Sequence, residues 1–392
     1  MAAEWRRTTI GSEVTLQRGF DITKKEQRPG KVPVVSSSGI SSYHDTYAVP
    51  GPGVVLGRKG TLGTVFYLEG NYWPHDTTLW VKDFHGNDPK FAYYFFKSLK
   101  LSHLDVGSAN PTLNRNHVHP IEVLWPPLPI QRRIAEILGA LDDKIEVNRR
   151  INRVLEAMAQ ALYKHWFVDF GPFQDGEFVE SAVGLIPKGW RVGSVLEQAE
   201  LLSGGTPKTS NPDYWGGRIL WASAKDVSQC GESFLLLTER SITPLGFSNS
   251  STKMIDAFST VVVARGATTG RLVLFGTDMA MNQTCYALRS RAGCHFTLYC
   301  QMRHIIEGLV RAAHGSVFNT ITTDTFKTSR VLLPPEPILS RFEAQINPIF
   351  QMILTRQNES RTLAATRDYL LPKLLSGEIS VEVAEGVVAQ AV

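Results

Sequence analysis

The segment Asn211-Pro-Asp-Tyr214 has the residue types closest to a catalytic site in this sequence. It resembles the Asn-Pro-Pro-Tyr motif that binds a flipped-out adenine during methylation of its amino group, but this sequence lacks the second proline. Such chemistry also needs a glycine-rich strand–loop–helix for the cofactor, and no segment of that kind precedes residue 211. Gly204-Gly-Thr-Pro before the motif and Trp215-Gly-Gly after it are typical of a loop. The motif therefore predicts a turn rather than a methyltransferase site.

Other catalytic chemistry finds no support in the spacing of the residues. The run Gly51-Pro-Gly-Val-Val-Leu-Gly57 has neither the P-loop nor the dinucleotide-binding spacing. His117 and His119 form the closest histidine pair, but no Glu or Cys completes a ligand set. The cysteines contain no Cys-x-x-Cys pair and are Cys230, Cys285, Cys294 and Cys300. The sequence thus predicts no catalytic residues, no metal site and no cofactor.

Polar residues in loops rich in glycine, serine and asparagine have the chemistry of DNA contacts. Arg, Lys, Asn and Gln can read base edges, and hydroxyl groups and backbone amides can hold phosphates. Loops are polar in most proteins, so these residues are candidates rather than assignments. In the first globular region the candidates are Lys24, Lys25, Arg58, Lys59, Thr61, Asn114 and Arg115. In the second they are Lys208, Asn211, Tyr214, Arg218, Arg265, Thr268, Arg271, Asn282 and Gln283.

Arg58 and Arg265 are the strongest of these candidates. They begin the segments Arg58-Lys-Gly-Thr-Leu-Gly63 and Arg265-Gly-Ala-Thr-Thr-Gly270, which align with a shift of 207 positions. Glycine turns allow a backbone to approach a ligand closely. We therefore expect both arginines to hold equivalent positions near DNA.

Two long helices must position these loops. After Pro126-Pro-Leu-Pro129, apolar residues recur every three or four positions as far as Phe167. A helix of this length would extend roughly 54 Å, which is too long for most single globular cores. The whole pattern returns 208 positions later, because Val123-Leu-Trp-Pro-Pro-Leu-Pro-Ile130 reappears as Val331-Leu-Leu-Pro-Pro-Glu-Pro-Ile338. The sequence is an internal duplication of one globular region and one long helix.

The apolar phase of the two helices also matches across the repeat. Ile134 aligns with Phe342 and Leu155 with Leu363, and in the globular regions His75-Asp-Thr77 aligns with Asn282-Gln-Thr284. We predict two mixed α/β (α+β) globular domains joined by two long antiparallel helices, a coiled-coil-like spacer with pseudo-twofold symmetry. The predicted boundaries are 1–128 and 190–335 for the domains, 129–167 and 336–376 for the helices, 168–189 for a linker and 377–392 for a flexible tail.

Composition agrees with a protein that binds an anionic partner. The formal net charge is +4 over 392 residues, and the positive excess falls mainly in the two globular regions. No run of about 18 apolar residues indicates a membrane span, and the N-terminus has no apolar signal region. We therefore expect no membrane partner and a cytoplasmic location, to which unpaired cysteines are suited.

Taken together, the sequence resembles the specificity (S) subunit of type I restriction–modification systems. The resemblance covers nearly the whole chain in the expected order. It is carried by the paired Pro-Pro-x-Pro-Ile and long-helix segments at 126–167 and 334–375. The other carriers are Ser203-Gly-Gly-Thr-Pro with Asn211-Pro-Asp-Tyr-Trp-Gly-Gly217, Arg265-Gly-Ala-Thr-Thr-Gly270, and Asn282-Gln-Thr284.

This resemblance implies a non-catalytic subunit that recognises double-stranded DNA. Each globular region would be a target recognition domain that reads one half of a bipartite, asymmetric site. The helices would set the spacing and dock two modification subunits, which supply S-adenosylmethionine and methylate adenine. Restriction subunits would join them to form the ATP-driven nuclease.

Two other functions compete with this interpretation. One is an adenine methyltransferase fused to its own reader, which would need a cofactor domain that the chain lacks. The other is a scaffold whose globular ends bind proteins and not DNA. One departure from a strict repeat is also visible. The first copy has Leu16-Gln-Arg-Gly-Phe-Asp-Ile where the second has Leu202-Ser-Gly-Gly-Thr-Pro-Lys, and it lacks the Asn-Pro-Asp-Tyr-Trp loop.

Overall fold

A computed structural model describes residues 5–99, 101, 112–312 and 320–391. The chain forms two compact units, Met1–Glu146 with Ser360–Val392 and Val147–Glu359. These units differ from the predicted domains because each long helix contributes one part to each unit. Within the described residues, no helix is long and apolar enough to cross a membrane.

The first unit is built from short strands, short helices and parts of two long helices. Its strands are β1 (Arg6–Thr9), β2 (Thr15–Arg18), β3 (Val32–Ser36), β4 (Gly39–His44), β5 (Gly53–Gly57), β6 (Val65–Leu68), β7 (Trp73–Pro74), β8 (Thr78–Asp83) and β9 (Glu122–Trp125). Its short helices are α1 (Ile10–Glu13), α2 (Pro89–Ser98) and α3 (Arg115–Val118). The strand orders are β2-β8-β5-β6 and β4-β3-β7, and β1 pairs with β9.

The first long helix, α4 (Leu128–Phe167), leads into the second unit. The strands there are β10 (Phe178–Ser181), β11 (Gly184–Pro187), β12 (Arg191–Ser194), β13 (Ala199–Ser203), β14 (Trp215–Ala222), β15 (Phe234–Leu235), β16 (Arg240–Ile242), β17 (Met254–Ile255), β18 (Thr260–Val263), β19 (Leu272–Phe275), β20 (Met279–Met281), β21 (Cys285–Ser290) and β22 (Arg330–Leu333). The helices are α5 (Val195–Gln198), α6 (Ala224–Gln229), α7 (Pro244–Ser248), α8 (His295–Ala312), α9 (Thr323–Thr328) and the second long helix α10 (Glu336–Ser376).

The strand orders confirm that the globular regions are repeats. The order β13-β21-β18-β19 in the second unit matches β2-β8-β5-β6 in the first, and β16-β14-β20 matches β4-β3-β7. Both three-strand segments contain a parallel pair, β3 with β7 and β14 with β20. The second copy extends its sheets with β15 and β17. The predicted mixed α/β class with two repeated domains is therefore confirmed.

Buried β-branched runs form the centre of each main sheet. All of β5 (Gly53–Gly57) and β18 (Thr260–Val263) are buried, which suits strands that are covered on both faces. Each is flanked on both sides by antiparallel partners, so its backbone groups are satisfied within the sheet. The loops that leave these central strands are consequently held on a rigid base.

The long helices start and end within one residue of the predicted bounds. In the first unit, Asp142 on α4 forms an ion pair with Arg367 on α10. In the second unit, Asn148 donates to Glu359 at 2.9 Å and accepts from Arg356 at 3.2 Å. Nearby, Asn152 donates to the carbonyl of Ile353 at 3.4 Å. Each unit therefore contains direct contacts between the two long helices.

Polar contacts also fix the globular part of the second unit on its helices. The Gln357 amide bonds both backbone groups of Phe234, at 2.9 and 3.2 Å, and so satisfies the edge strand β15. The Glu156 carboxylate accepts from Ser233 at 2.5 Å and Tyr299 at 2.8 Å, and it pairs with Arg303. Burial lowers the pKa of Arg303, but Tyr299 and Glu156 outweigh this effect and give a net rise. These contacts keep the guanidinium charged and the domain oriented.

Residues 377–391 correct the prediction of a flexible tail. They include an eleven-residue helix, α11 (Val381–Ala391), whose Val381 and Ala384 are buried in the core of the first unit. Arg133 donates to Glu382 at 2.6 Å and to Glu385 at 2.9 Å. The pKa of Glu382 is lowered to about 2 by its own backbone amide and by Arg133. The apolar spacing of three residues gives this helix a buried face, which the sequence reading overlooked.

The predicted linker 168–189 is also structured. It contains a 3₁₀ turn at Gly171–Phe173 and the hairpin β10–β11. Phe170 and Phe173 pack edge-on against Trp190, with ring centroids 5.7 and 5.1 Å apart. The aromatic residues of this segment anchor it, although its glycines and acids had indicated a loose connection.

Candidate nucleic-acid interface

The glycine turn between β5 and β6 presents the strongest candidates of the first unit. Two backbone bonds close it, from Gly57 to the carbonyl of Thr64 at 2.8 Å and from Gly63 to that of Gly57 at 3.1 Å. Gly60 and Gly63 have φ values of +77° and +72°, which a side chain would strain. The turn places Lys59 in solvent, on a fixed backbone.

Two other segments meet this turn. The amides of Arg58 and Lys59 donate to the carbonyl of Thr77 at 2.9 and 3.1 Å. The amide of Leu113 donates to the carbonyl of Arg58 at 2.9 Å, and Asn114 then caps α3 by accepting from the amide of Asn116 at 3.0 Å. These backbone bonds therefore bring the turn of Arg58, Lys59 and Thr61 next to the segment of Asn114 and Arg115.

The electrostatics of this first surface are mixed. The pKa of Arg58 is lowered by partial burial and by repulsion from Arg18, while Asp76 acts in the opposite direction. Arg18 pairs with Asp76 at 2.7 Å. The carboxylates of Asp21 and Asp76 and the imidazole of His75 each place one oxygen or nitrogen within 4.8 Å of the others. On a base edge, the cations could bind hydrogen-bond acceptors and the carboxylate could bind an amino group.

Lys24 and Lys25 lie in a different turn. There the Glu26 carboxylate accepts from the amide and hydroxyl of Thr23 at 2.7 and 2.8 Å, and these bonds lower the pKa of Glu26. Both lysines are exposed. Among the described residues, no hydrogen bond or ion pair joins this turn to that of Arg58, so both lysines remain separate candidates for phosphate contacts.

The second unit repeats the glycine turn, but in a different register from the one we predicted. Ala264 donates to the carbonyl of Thr284 at 2.8 Å and accepts from the amide of Ile321 at 2.8 Å. Arg58 makes the corresponding bonds to Thr77 and Leu113 in the first unit, so Ala264 is its equivalent. The pairing of Arg58 with Arg265 is therefore wrong.

Arg265 corresponds instead to Lys59. Each forms an isolated β-bridge at the same place, Arg265 with Thr320 and Lys59 with Thr112. The turn of the second copy is one residue longer than that of the first. The alignment with a constant shift of 207 positions did not place this extra residue correctly. Both copies nevertheless carry a cation at this position.

The turn at 282–284 confirms the other predicted equivalence. The amide of Asn282 donates to the carbonyl of Ala222 at 2.9 Å, as that of His75 does to Val35 at 2.9 Å. The Asn282 side chain accepts from the hydroxyl of Thr284 at 2.7 Å, so its carbonyl shapes the turn. Gln283 is exposed and bonds to the Thr206 hydroxyl. Of the two candidates, Gln283 is the one whose side chain reaches outward.

The Asn-Pro-Asp-Tyr motif is a turn, as its context indicated. The Asn211 side chain accepts from the amide of Asp213 at 3.1 Å, and Pro212–Tyr214 form a single 3₁₀ turn. Lys208 is exposed in the same loop, and Arg218 is exposed where β14 departs from regular pairing with β16. These residues belong to one loop-and-strand surface, which Thr206 joins to Gln283.

Thr268 and Arg271 lie in the glycine turn, but their side chains make contacts away from the turn at 282–284. The Thr268 hydroxyl bonds to that of Ser228 in helix α6 at 2.6 Å. Arg271 lines a cavity of about 480 Å³ together with Glu156, Tyr299 and Arg303. The backbone of Arg271 closes the turn that contains Arg265, because its carbonyl accepts from Val263 at 2.9 Å, but its side chain lines a cavity beside the long helix.

Sequence reasoning missed one basic residue of this surface, Arg240. Its guanidinium carbon lies 3.3 Å from the centre of the Trp215 ring system. No sequence signal marks it, because it follows Glu239 in a short segment without glycine or a repeat partner of the same type.

Comparison with known proteins agrees with this duplicated geometry. The family model for the type I restriction modification DNA specificity domain matches residues 3–157 and 187–355, once for each copy. The chain belongs to this family. Since the family recognises DNA for type I restriction–modification, the DNA-recognition role is established, and the methyltransferase and scaffold alternatives are not favoured.

Individual relatives give the same picture. The subunit is 27% identical over 314 residues to the Type I restriction enzyme MjaIX specificity subunit of Methanocaldococcus jannaschii, covering 75% of this chain and 69% of that one. It is 26% identical over 333 residues to the HindI specificity subunit of Haemophilus influenzae, covering 69% and 71%. The fold matches the crystal structure of a type I S subunit from M. genitalium with a TM-score of 0.60 at 14% identity, covering 95% and 96% of the two chains.

Proposed function

We propose that each globular domain of this specificity subunit reads one half of a bipartite, asymmetric DNA site. The observation that carries the proposal is a shared frame with different polar side chains. In both copies, the turn that carries the cation is hydrogen-bonded to a second turn. This second turn carries His75 and Asp76 in the first copy and Asn282 and Gln283 in the second copy. Different donors and acceptors on one frame would select different bases.

The domain boundaries 1–128 and 190–335 fit this assignment, with the long helices between them as the spacer. In the second unit, residues 148 and 152 of α4 contact residues 356–359 and 353 of α10, so the numbers rise on one helix and fall on the other. This order supports an antiparallel pair. A rigid antiparallel spacer would fix the distance between the two half-sites.

The subunit itself would carry out no catalytic step. Two modification subunits would supply the methyltransferase chemistry, and restriction subunits the ATP-dependent cleavage. An exposed apolar stripe on α4, at Val147, Val154 and Met158, offers a docking surface for a modification subunit. The spacing of seven and four residues places all three on one face of the helix.

Methylation mapping with the cognate modification subunit tests the whole proposal. Expressed together in a host without other adenine methylation, the complex should methylate a single split motif with unlike halves. The chain alone should methylate nothing. A continuous motif, or methylation by the isolated chain, would contradict the assignment.

Replacing Arg265 with Ala should weaken reading of one half-site and leave the other unchanged. Loss of a base contact costs about 1–3 kcal/mol, and loss of a phosphate contact lowers the slope of affinity against salt. Anisotropy titrations on duplexes mutated in either half, across a salt series, would measure both effects. Arg291→Ala is the matched control, because Arg291 is also exposed but lies beyond the opposite end of β21. Equal relaxation of both halves by Arg265→Ala would contradict independent reading.

Val154→Asp combined with Met158→Asp should abolish co-purification of the modification subunit without unfolding the chain. Their side chains are 59% and 49% exposed, so charge is tolerated in the free subunit but not in an apolar interface. Affinity capture and the midpoint of thermal unfolding would be measured together. Leu185→Asp, at a 57% exposed apolar residue of strand β11, is the control. Unchanged capture by the double variant would place docking on another surface.

A further inference from the structure

The guanidinium of Arg240 is stacked on an indole at the surface of the second domain. Its central carbon lies 3.3 Å from the centre of the Trp215 ring and 5.9 Å from the centre of the Trp221 ring. A cation over the face of an indole at this distance makes a cation–π contact. This contact fixes the position of the Arg240 guanidinium on the surface of the domain.

The indole beneath it is itself fixed. Trp215 packs edge-on against Trp221, with ring centroids 5.1 Å apart at 89°. Trp221 is 4% exposed and donates from Nε1 to the carbonyl of Gly205 at 3.0 Å. Trp215 donates from Nε1 to the carbonyl of Lys208 at 3.3 Å. The stack is therefore built on the domain core rather than on a free loop.

Arg240 has the charge of a recognition residue. It is exposed on the edge strand β16, and within the described part of the chain no carboxylate lies within ion-pair distance of it. The acid next to it, Glu239, pairs instead with Lys225 at 2.6 Å. Its positive charge is consequently ordered without being neutralised.

The stack belongs to the same surface as the predicted candidates. Lys208 contacts Trp215 through its carbonyl, and two residues earlier Thr206 bonds to Gln283. The loop of Lys208 therefore connects the indole beneath Arg240 with the turn of Gln283. This is where the side chains of the second copy would meet a DNA groove.

The first copy has no arginine at this place. In the second copy, Arg240 lies opposite Trp221, and Trp221 also pairs with Ala280. In the first copy, Ser42 lies opposite Val34, and Val34 pairs with Trp73 in the same way. Ser42 is therefore the counterpart of Arg240. A determinant present in one copy alone can act on one half-site alone.

We propose that Arg240 reads a guanine in the major groove of the half-site bound by the second domain, with Trp215 as its positioning residue. The inference rests on the proposed function. Arginine donates to O6 and N7 of guanine through two parallel bonds, and this geometry requires a defined guanidinium plane. The indole supplies that plane before DNA arrives, so less side-chain freedom is lost on binding.

The test uses the full chain in complex with its modification subunit, and it begins with the methylated motif of the unchanged complex. Arg240→Gln should relax one guanine position in one half of that motif, with discrimination falling roughly 5- to 150-fold. Arg240→Lys should relax the same position, because lysine keeps the charge without the paired donors. Arg291→Gln is the charge control and should leave the motif unchanged.

Variants of Trp215 separate positioning from folding. Trp215→Leu should weaken discrimination at the same base pair, and Trp215→Phe should restore most of it because a ring face is present again. If Arg240→Gln weakens binding equally on all sequences and Arg240→Lys rescues it, the contact is to phosphate and the inference is wrong. A lowered unfolding temperature with an unchanged motif would likewise overturn it, showing a structural role for the stack.

Failure of the proposed function has a different signature. If the unchanged complex shows no split motif, the function itself fails before any variant is compared. If the split motif is present and Arg240→Gln leaves every position intact, only the inference about Arg240 fails.

Discussion

We expect Leu363→Asp to unfold the first unit, whereas Leu155→Asp, at the equivalent position of the repeat, should destabilise the protein far less. Leu363 is 0% exposed and packs in the core that also holds Leu138, Leu141 and Leu370. A carboxylate there loses the apolar contacts of leucine and is desolvated without a partner, at a cost of at least about 4 kcal/mol. That is a large part of the stability of an ordinary domain.

The repeat partner Leu155 lies at the edge of its cluster and is only partly buried. Asp at this position can reach water, and we expect a cost of about 1–2 kcal/mol. Urea unfolding of both variants, with size-exclusion chromatography, would measure the difference. Val154→Asp serves as the neighbouring exposed control. Equal destabilisation by Leu155→Asp and Leu363→Asp would contradict the unequal burial on which the prediction stands.

A fragment of residues 1 to about 180 is expected to change an asymmetric specificity into a palindromic one. It retains the first domain and all of α4 but loses α10, so two copies would pair their α4 helices in the antiparallel manner proposed for the intact chain. Such an interface is isologous and closes as a dimer. Two identical readers related by a twofold axis recognise an inverted repeat.

The seam of this dimer has a specific weakness. In the intact second unit, Phe342 packs against Tyr163, Trp166 and Phe167 with centroid distances of 6.2, 5.3 and 4.8 Å. In the fragment dimer, Ile134 takes the place of Phe342 and leaves part of that space empty. Deleting this much apolar volume costs about 1–3 kcal/mol at each of the two symmetric sites.

A compensating substitution makes the prediction sharper. Ile134→Phe in the fragment should fill the space and tighten the dimer, as measured by sedimentation. In the intact chain, where Ile134 belongs to a core with Leu371 and Leu374, the same substitution should overpack and destabilise. Methylation mapping with the modification subunit should show an interrupted palindrome. A fragment that stays folded but monomeric and inactive would disprove the pairing.

The sequence alone determined the organisation of this protein. The two proline-led helices were recognisable because apolar residues recur every three or four positions over about forty residues in each copy. The duplication followed from the 208-residue shift, and the turn at Asn211 followed from its glycine and proline neighbours. These features are local in the sequence or repeated along it, so they can be recognised without knowledge of the tertiary contacts.

Tertiary structure decided the details that nonlocal contacts create. The equivalence of Arg265 with Lys59 depends on backbone bonds to strands far away in sequence, which no local alignment can weigh. The helix at 381–391 is fixed by burial against the first core and by Arg133, some 250 positions earlier. Arg240 becomes a candidate reader only because β16 lies beside β14 and brings it onto Trp215, a neighbour specified by sheet pairing rather than by sequence.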